Sequence, residues 1–144
     1  MKPQGEYISR SEEQTLLWGK TLGENLRPQE AVFLIGKLGT GKSVIARGIA
    51  RGLNWLQPVN SPSFSLVKLY RAELNIYHCD LYRLKLGDDI TQLGLEELME
   101  AENSVSIFEW SEQFPVARYI PRWEVTIADG ETDQERIIKW SKIE

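Results

Sequence analysis

A glycine-rich loop at residues 36–43 constrains the fold of this chain more than any other feature. Its sequence, GKLGTGKS, matches the phosphate-binding pattern G-x-x-x-x-G-K-[ST]. Glycines let the backbone adopt turns that side chains would forbid, so that successive N–H groups can point inward at phosphate oxygens. In such a loop Lys42 carries charge to the β- and γ-phosphates, and the Ser43 hydroxyl is placed to bind Mg²⁺. The predicted nucleotide site therefore comprises Gly36, Gly39, Thr40, Gly41, Lys42 and Ser43.

The residues on either side of the loop supply the context that this pattern requires. Residues 31–35 read AVFLI, an apolar run typical of a strand buried on both faces, and residues 44–53 carry apolar side chains at helical spacing. Strand, loop and helix in this order place phosphate at a helix N-terminus. They predict an α/β protein with a three-layer P-loop NTPase-like fold, whose parallel core sheet carries added antiparallel strands from the C-terminal part. We expect residues 1–144 to form one P-loop ATPase domain.

Other elements follow from local patterns. Ser11 and Gln14 form a capping-box pattern that opens a helix ending near Arg27–Pro28, and Gly19 and Gly23 lie on one face of it, where a neighbouring element could approach closely. Apolar and alternating runs predict the remaining elements: strands at 64–70, 76–80, 104–109, 123–127 and 136–140, and a helix at 88–102.

Composition excludes several classes of function. A net charge of −4 and a pI near 5.2 argue against a primary nucleic-acid binder, which needs clustered Lys and Arg. The single cysteine, Cys79, excludes an internal disulfide and suggests a reducing compartment, where it is expected as a packed side chain. Because the sequence shows neither a membrane-length apolar stretch nor a signal pattern, a cytoplasmic location is expected.

Two acids end predicted strands, where a phosphate-binding loop needs a carboxylate near Mg²⁺. Glu109 ends the predicted strand at 104–109 and is the stronger candidate for metal binding, against a solvated acid at a strand end. Asp80 ends the strand at 76–80, and the pattern leaves open whether it binds metal through water, orients the attacking water or does neither. The predicted catalytic residues are Asp80, Glu109 and Lys42, and the predicted metal ligands are Ser43 and Glu109.

Four further residues near these motifs have structural as well as functional interpretations. His78, the only histidine, is expected as a packed or hydrogen-bonded side chain more than as a catalyst, and Trp110 as a core residue. Arg83 is expected in a surface salt bridge more than as a stabiliser of transition-state charge. Ser63 follows Pro62 in a polar turn, as a nucleotide-sensing switch residue would, although such turns are common.

Taken together, the motifs resemble those of the TsaE (YjeE) family, the bacterial ATPases required to make threonylcarbamoyladenosine in tRNA. The resemblance covers about residues 9–136, with motifs that are much more specific together than the loop alone. They are GKLGTGKS at 36–43, SPSFSLV at 61–67, HCDLYRL at 78–84 and EWSE at 109–112.

The resemblance implies Mg²⁺-dependent hydrolysis of ATP to ADP, coupled to the TsaD–TsaB pair, which transfers the threonylcarbamoyl group to adenosine in tRNA. The ATPase would drive turnover of that complex and meet tRNA only through its partners. The resemblance gives Asp80 a role in hydrolysis and Ser63 a place in a switch-like loop. It also implies further nucleotide contacts from Ser11, Glu12, Glu112 and Arg136.

The chain departs from the family pattern at three positions. Lys37 stands where an acid is usual, Ser63 where threonine is commoner, and Cys79 where an aromatic residue is usual.

The residues also leave functions outside this family open. A small-molecule kinase shares loop and fold, but the chain shows no Arg-rich lid. A GTPase would need an N-K-x-D motif, which does not occur. A non-catalytic nucleotide-gated scaffold would not need Asp80 and Glu109.

Overall fold

The computed structural model describes residues 1–37, 39–59, 67–80, 101–110 and 122–144. Within these ranges seven strands join one sheet in the order β1-β7-β6-β2-β5-β4-β3. The elements in chain order are β1 (Gln4–Ser9), α1 (Glu12–Asn25), β2 (Ala31–Ile35), α2 (Lys42–Gly52), β3 (Val67–Tyr70), β4 (Asn75–Asp80), β5 (Ser104–Trp110), β6 (Arg122–Asp129) and β7 (Arg136–Ile143).

The centre of the sheet is parallel, which confirms the predicted fold class. β2 lies between β5 and β6 and runs parallel to both, and β4 runs parallel to β5. The outer pairs, β1 with β7, β6 with β7 and β3 with β4, are antiparallel. The C-terminal part adds antiparallel pairing through β7, as predicted, while β6 runs antiparallel to β7 and parallel to β2. The carboxyl end of β6 therefore shares an edge of the sheet with those of β2, β4 and β5.

Most of the predicted elements within the described residues are present with small shifts at their ends. Ser11 caps α1 by accepting a hydrogen bond from the Gln14 backbone N–H at 3.1 Å, while the Gln14 side chain accepts from the backbone N–H of Arg10 at 2.7 Å. β1 was not predicted, because it is an edge strand with mostly exposed residues and lacks a clear alternating pattern. The predicted helix at 88–102 and the start of the strand at 64–70 fall largely outside the described residues.

The two described helices pack against each other through glycines, as the spacing of Gly19 and Gly23 suggested. A Cβ atom on Gly23 would lie 2.3 Å from the Ile49 carbonyl oxygen, and one on Gly48 would lie 2.3 Å from the Leu16 carbonyl oxygen. Ordinary carbon–oxygen contacts are more than 3 Å long. The backbones of α1 and α2 can therefore approach this closely only because Gly23 and Gly48 have no side chain. This packing fixes the position of α2, which begins at the phosphate-binding loop.

A single hydrophobic cluster joins the helices to one face of the sheet. Trp18 and Leu22 from α1 and Ile45 and Ile49 from α2 are buried in it. The sheet contributes Val32, Leu34, Tyr70, Ile76, Val105, Ile107, Trp123, Val125, Ile127 and Ile138. On the opposite face Phe33 and Phe108 are fully buried, with ring centroids 5.0 Å apart. β2 is therefore buried on both faces, as its apolar run predicts. In the described ranges no helix is long and apolar enough to cross a membrane.

Candidate nucleotide-binding site

The glycine-rich loop that matches the phosphate-binding pattern connects the end of β2 to the start of α2, in the order that the sequence predicts. Gly39 and Gly41 have φ angles of 81° and 106°, in the left-handed region that glycine adopts without strain. Gly41 is the N-cap of α2 and its carbonyl oxygen accepts from the N–H groups of Val44 and Ile45. The N–H groups at the start of α2 therefore face the loop opening, where a helix N-terminus favours an anion.

Lys42 lies at the base of the loop and is only 5% exposed. Its Nζ atom donates hydrogen bonds to the carbonyl oxygens of Gly36 at 2.5 Å and Lys37 at 3.0 Å. Burial lowers the pKa of Lys42, and the nearby carboxylates of Glu109 and Asp80 oppose this shift. The loop thus holds the ammonium group of Lys42 close enough to Glu109 and Asp80 for their negative charge to favour its protonated form.

Glu109 and Asp80 lie side by side at the carboxyl ends of β5 and β4, where they are register partners. Glu109 is 4% exposed, and the Ser43 hydroxyl donates to its Oε1 atom at 3.4 Å across 66 residues of sequence. This distance is longer than an ordinary O–H···O hydrogen bond, so the contact is weak. The fold thus brings together the loop lysine, the loop serine and both acids that the sequence singled out.

The oxygen atoms of Ser43 and Glu109 suit Mg²⁺, which prefers hard oxygen ligands. Two ligands at right angles, each about 2.1 Å from the ion, lie about 3 Å apart. The 3.4 Å between Ser43 Oγ and Glu109 Oε1 is close to that separation. Across the described ranges no three His, Cys, Asp or Glu side chains are grouped in a way that would hold a metal. Mg²⁺ commonly completes its octahedron with waters and substrate phosphates.

A cavity of about 300 Å³ opens beside the loop, between the start of α1 and the turn that precedes β7. Of the additional contacts implied by the family resemblance, Glu12 and Arg136 line it, whereas the Ser11 side chain caps α1. The described residues that line it are Glu12, Thr15, Gly39, Gly41, Val44, Asp133, Gln134 and Arg136. Asp133 and Gln134 are not predicted as site residues, because nothing in the sequence of an exposed turn indicates that it lies beside a loop about 90 residues earlier.

Two arginines hold the walls of this cavity. Arg136 Nε donates to the Thr40 carbonyl oxygen at 2.9 Å and so ties β7 to the loop. Arg47 Nη2 donates to Glu12 Oε1 at 2.9 Å and ties α2 to the first turn of α1. The Thr40 hydroxyl donates to the Lys37 carbonyl oxygen at 2.7 Å, so its side chain supports the loop from within. The side chain of Lys37 is exposed, although its carbonyl oxygen is part of the loop.

His78 has the packed and hydrogen-bonded position that the sequence favoured, but its neighbours were not foreseen. It is 1% exposed, its Nδ1 atom lies 3.2 Å from the Tyr70 hydroxyl, and its Nε2 atom lies 3.3 Å from Glu109 Oε2. The available signal was the position of His78 two residues before Asp80, which puts both on one face of a strand. Tyr70 carried no signal, because its role depends on the pairing of β3 with β4.

Several predicted residues lie outside the described residues. They are Ser63, Arg83 and Glu112, together with the side chain of Trp110. Their assigned or alternative roles, like those of the described site residues, stay predictions.

Comparison with known proteins confirms the resemblance seen in the motifs. Residues 9–138 match the family described as "Threonylcarbamoyl adenosine biosynthesis protein TsaE". Among similar sequences, a tRNA threonylcarbamoyladenosine biosynthesis protein TsaE from Treponema pallidum is 36% identical over 84% of this chain and 87% of that protein. The protein of the same name from Rickettsia bellii is 40% identical over 74% of each chain.

A solved structure agrees with the sequence matches. The crystal structure of Bacillus subtilis YdiB superposes with a TM-score of 0.78 at 28% identity, covering 100% of this chain and 88% of that one. The similarity therefore extends over the whole sheet and the loop built on it.

Proposed function

This chain belongs to the TsaE family of tRNA threonylcarbamoyladenosine biosynthesis proteins, and we propose that it is the Mg²⁺-dependent ATPase of that process. It hydrolyses ATP to ADP and drives the turnover of a TsaD–TsaB complex, which itself transfers the threonylcarbamoyl group to adenosine in tRNA. The chain contacts these two partners and meets tRNA through them.

The observation that carries this proposal is the approach of Ser43 to Glu109. A glycine-rich loop alone supports phosphate binding, but hydrolysis also needs a carboxylate at the metal position. The 3.4 Å between Ser43 Oγ and Glu109 Oε1 joins the loop to the end of β5, and the register of β4 puts Asp80 next to Glu109. A binding module would need only the loop, so the second acid favours catalysis over a nucleotide-gated scaffold.

The residues of the chain take distinct parts in the proposed reaction. Lys42 and the N–H groups at the start of α2 hold the phosphates and offset their negative charge. Ser43 and Glu109 hold Mg²⁺, which would neutralise charge on the phosphates during transfer. Asp80 accepts a hydrogen bond from the attacking water and orients it. Glu12 and Arg136, in the cavity wall, contact the rest of the nucleotide.

The contacts of the arginines near the loop suggest slow hydrolysis by the isolated chain. Phosphoryl transfer gains about 10³–10⁵ in rate from an arginine that stabilises the transition state, and a partner often supplies it. Here Arg47 is paired with Glu12, and Arg136 is bonded to the Thr40 carbonyl oxygen. Both cations are engaged in holding the cavity walls. We therefore expect the TsaD–TsaB pair to complete the site.

Substitution of the two acids tests the catalytic assignment. Glu109→Gln and Asp80→Asn keep side-chain size, so both variants should melt like the wild type while phosphate release in the presence of TsaD–TsaB falls at least about a hundredfold. Glu102→Gln, an exposed acid shortly before β5, is the matched control and should be fully active. Wild-type turnover by either site variant would remove that residue from the mechanism.

Partner dependence needs a separate measurement. Steady-state phosphate release should rise at least about tenfold when TsaD–TsaB is added to the chain. Ser63→Ala should weaken that stimulation more than it weakens ADP binding, because the turn at 61–65 is predicted to act as a switch. Equal rates with and without the pair would show that the partners do not gate the chemistry. Phosphate that appears on an added acceptor molecule would instead indicate a kinase.

A further inference from the structure

Three side chains on neighbouring strands form a buried line that ends at Glu109. Tyr70 is in β3, His78 in β4 and Glu109 in β5, and the strand registers pair Tyr70 with Ile76 and His78 with Ile107. Each member of the line is therefore displaced by two residues from its neighbour, on the same face of the sheet. Such diagonal neighbours are within reach of long side chains.

The distances within the line indicate which ring nitrogen of His78 carries hydrogen. The Tyr70 hydroxyl lies 3.2 Å from Nδ1, and Glu109 Oε2 lies 3.3 Å from Nε2. A carboxylate accepts hydrogen bonds and repels a bare ring nitrogen, so Nε2 has to carry the hydrogen that faces Glu109. With hydrogen on Nε2, the Nδ1 atom can accept a hydrogen bond from the Tyr70 hydroxyl. This bond supports the tautomer that donates to the acid.

The packing around the line holds it in place from the side opposite Glu109. Tyr70 and His78 are 6% and 1% exposed, and their ring centroids are 5.9 Å apart. The Trp55 ring also packs against Tyr70, with centroids 5.4 Å apart. The phenol and the imidazole therefore have little freedom to turn, and the orientation of the Nε2–H bond is set before any ligand arrives.

The contact between His78 and Glu109 is incomplete in this structure. Nε2 is buried and makes no hydrogen bond of good geometry, although Oε2 is 3.3 Å away. Buried polar atoms are normally satisfied, and exceptions tend to mark functional sites. A small rotation of the Glu109 carboxylate would close this hydrogen bond and free Oε1 from its weak contact with Ser43.

We propose that His78 is a positioning residue for Glu109: its Nε2–H group holds Oε2, so that Oε1 is directed at the position Mg²⁺ would take beside Ser43. The Tyr70 hydroxyl supports this role by fixing the tautomer of His78. The inference rests on the proposed function, because it assumes that Glu109 binds the metal. Loss of such supporting contacts commonly weakens metal affinity or activity by about 10–100-fold.

The test measures Mg²⁺ affinity by calorimetry, with Mg²⁺ titrated into protein that carries stoichiometric ADP. His78→Leu should weaken Mg²⁺ binding at least about tenfold, while ADP affinity in EDTA stays at the wild-type value. His78→Gln, whose side-chain amide keeps an N–H donor, should recover most of the loss. Tyr70→Phe should give a smaller loss. Tyr77→Phe removes a hydroxyl from the opposite face of β4 and should have no effect.

The outcomes separate this inference from the proposed function. Wild-type Mg²⁺ affinity in both His78→Leu and Tyr70→Phe would overturn the positioning role. A parallel loss of ADP affinity in EDTA would also overturn it, because the effect would then be structural. If His78→Leu does not fold, Tyr70→Phe against Tyr77→Phe decides the question alone. Glu109→Gln is measured alongside: if it binds Mg²⁺ normally, the metal assignment of the proposed function fails instead.

Discussion

Replacing Gly23 with alanine tests whether the glycine contact between α1 and α2 positions the nucleotide site. The added Cβ atom would lie 2.3 Å from the carbonyl oxygen of Ile49 and 3.0 Å from its carbonyl carbon. Both atoms belong to the backbone of α2, so a side-chain rotation cannot relieve the clash. To reach an ordinary contact distance, the two helices have to separate by about 1 Å.

The expected loss of stability follows from two opposing terms. Overpacking a well-packed contact costs about 1–3 kcal/mol. Alanine is better than glycine inside a helix by roughly 0.5–1 kcal/mol, which offsets part of that cost. At the middle of both ranges the free energy of unfolding should therefore fall by about 1 kcal/mol, and at most by about 2.5 kcal/mol. For a chain of this size the middle value corresponds to a melting temperature lower by roughly 2–4 °C.

The substitution should also affect function, because α2 begins at Lys42 and carries the end of the loop. Misplacing a reacting group by about 1 Å can reduce a rate roughly a hundredfold. Thermal melting followed by circular dichroism and ADP binding measured by calorimetry should both show a loss. Glu24→Ala, an exposed change in the same helix, should show neither. If Gly23→Ala melts at or above the wild-type temperature, the helices have room for the methyl group and the packing argument is wrong.

Three further predictions concern single side chains. Lys42→Ala should weaken ATP binding by about 1.5–3 kcal/mol through loss of charge-assisted hydrogen bonds, while AMP, which lacks the β- and γ-phosphates, should bind as before. Equal losses for ATP and AMP in calorimetry would mean that Lys42 supports the loop instead of the phosphates. Arg136→Ala should weaken ADP binding several-fold because Arg136 ties β7 to the Thr40 carbonyl oxygen, whereas Lys139→Ala on the same strand should not. Burial raises the pKa of the Cys79 thiol from 9.0 to about 12. The unfolded chain therefore loses this proton first as the pH rises, and about 1 kcal/mol of stability should be lost by about pH 10. Denaturant unfolding at several pH values should show this slope in the wild type and not in Cys79→Ala.

Local patterns predicted the central elements of the fold well, because each depends on residues close together in sequence. The apolar run of β2, the glycines of the loop and the helical spacing after Ser43 describe one continuous segment. Its conformation follows from glycine freedom, helix capping and the burial of apolar side chains. The same reasoning failed for β1, whose residues are mostly exposed and whose strand conformation depends on pairing with β7. It also did not show that β6 runs parallel to β2, since alternation along a strand carries no information about its neighbours.

The sequence predicted the individual residues of the candidate site but not the contacts between them. Glu109 and Asp80 were identified because each ends a predicted strand, and parallel strands that end at one edge bring such residues together. Their adjacent register and the approach of Glu109 to Ser43 required the paired strands. The capping-box pattern predicted Ser11 at the start of α1, but only the structure showed that the next residue, Glu12, lines the cavity.

What the sequence determined by itself was the set of chemical groups: a loop with the phosphate-binding pattern, a hydroxyl and a carboxylate of the types that Mg²⁺ prefers, and motifs that identify the family. What only the tertiary structure decided was which groups meet. His78 reaches Glu109 through the register of β4 with β5, and Arg136 reaches Thr40 across 96 residues of sequence. Residue type and local spacing are set by the covalent order of the chain. Contacts between distant segments arise only when strands choose partners and register, and burial of the shared apolar face makes that choice.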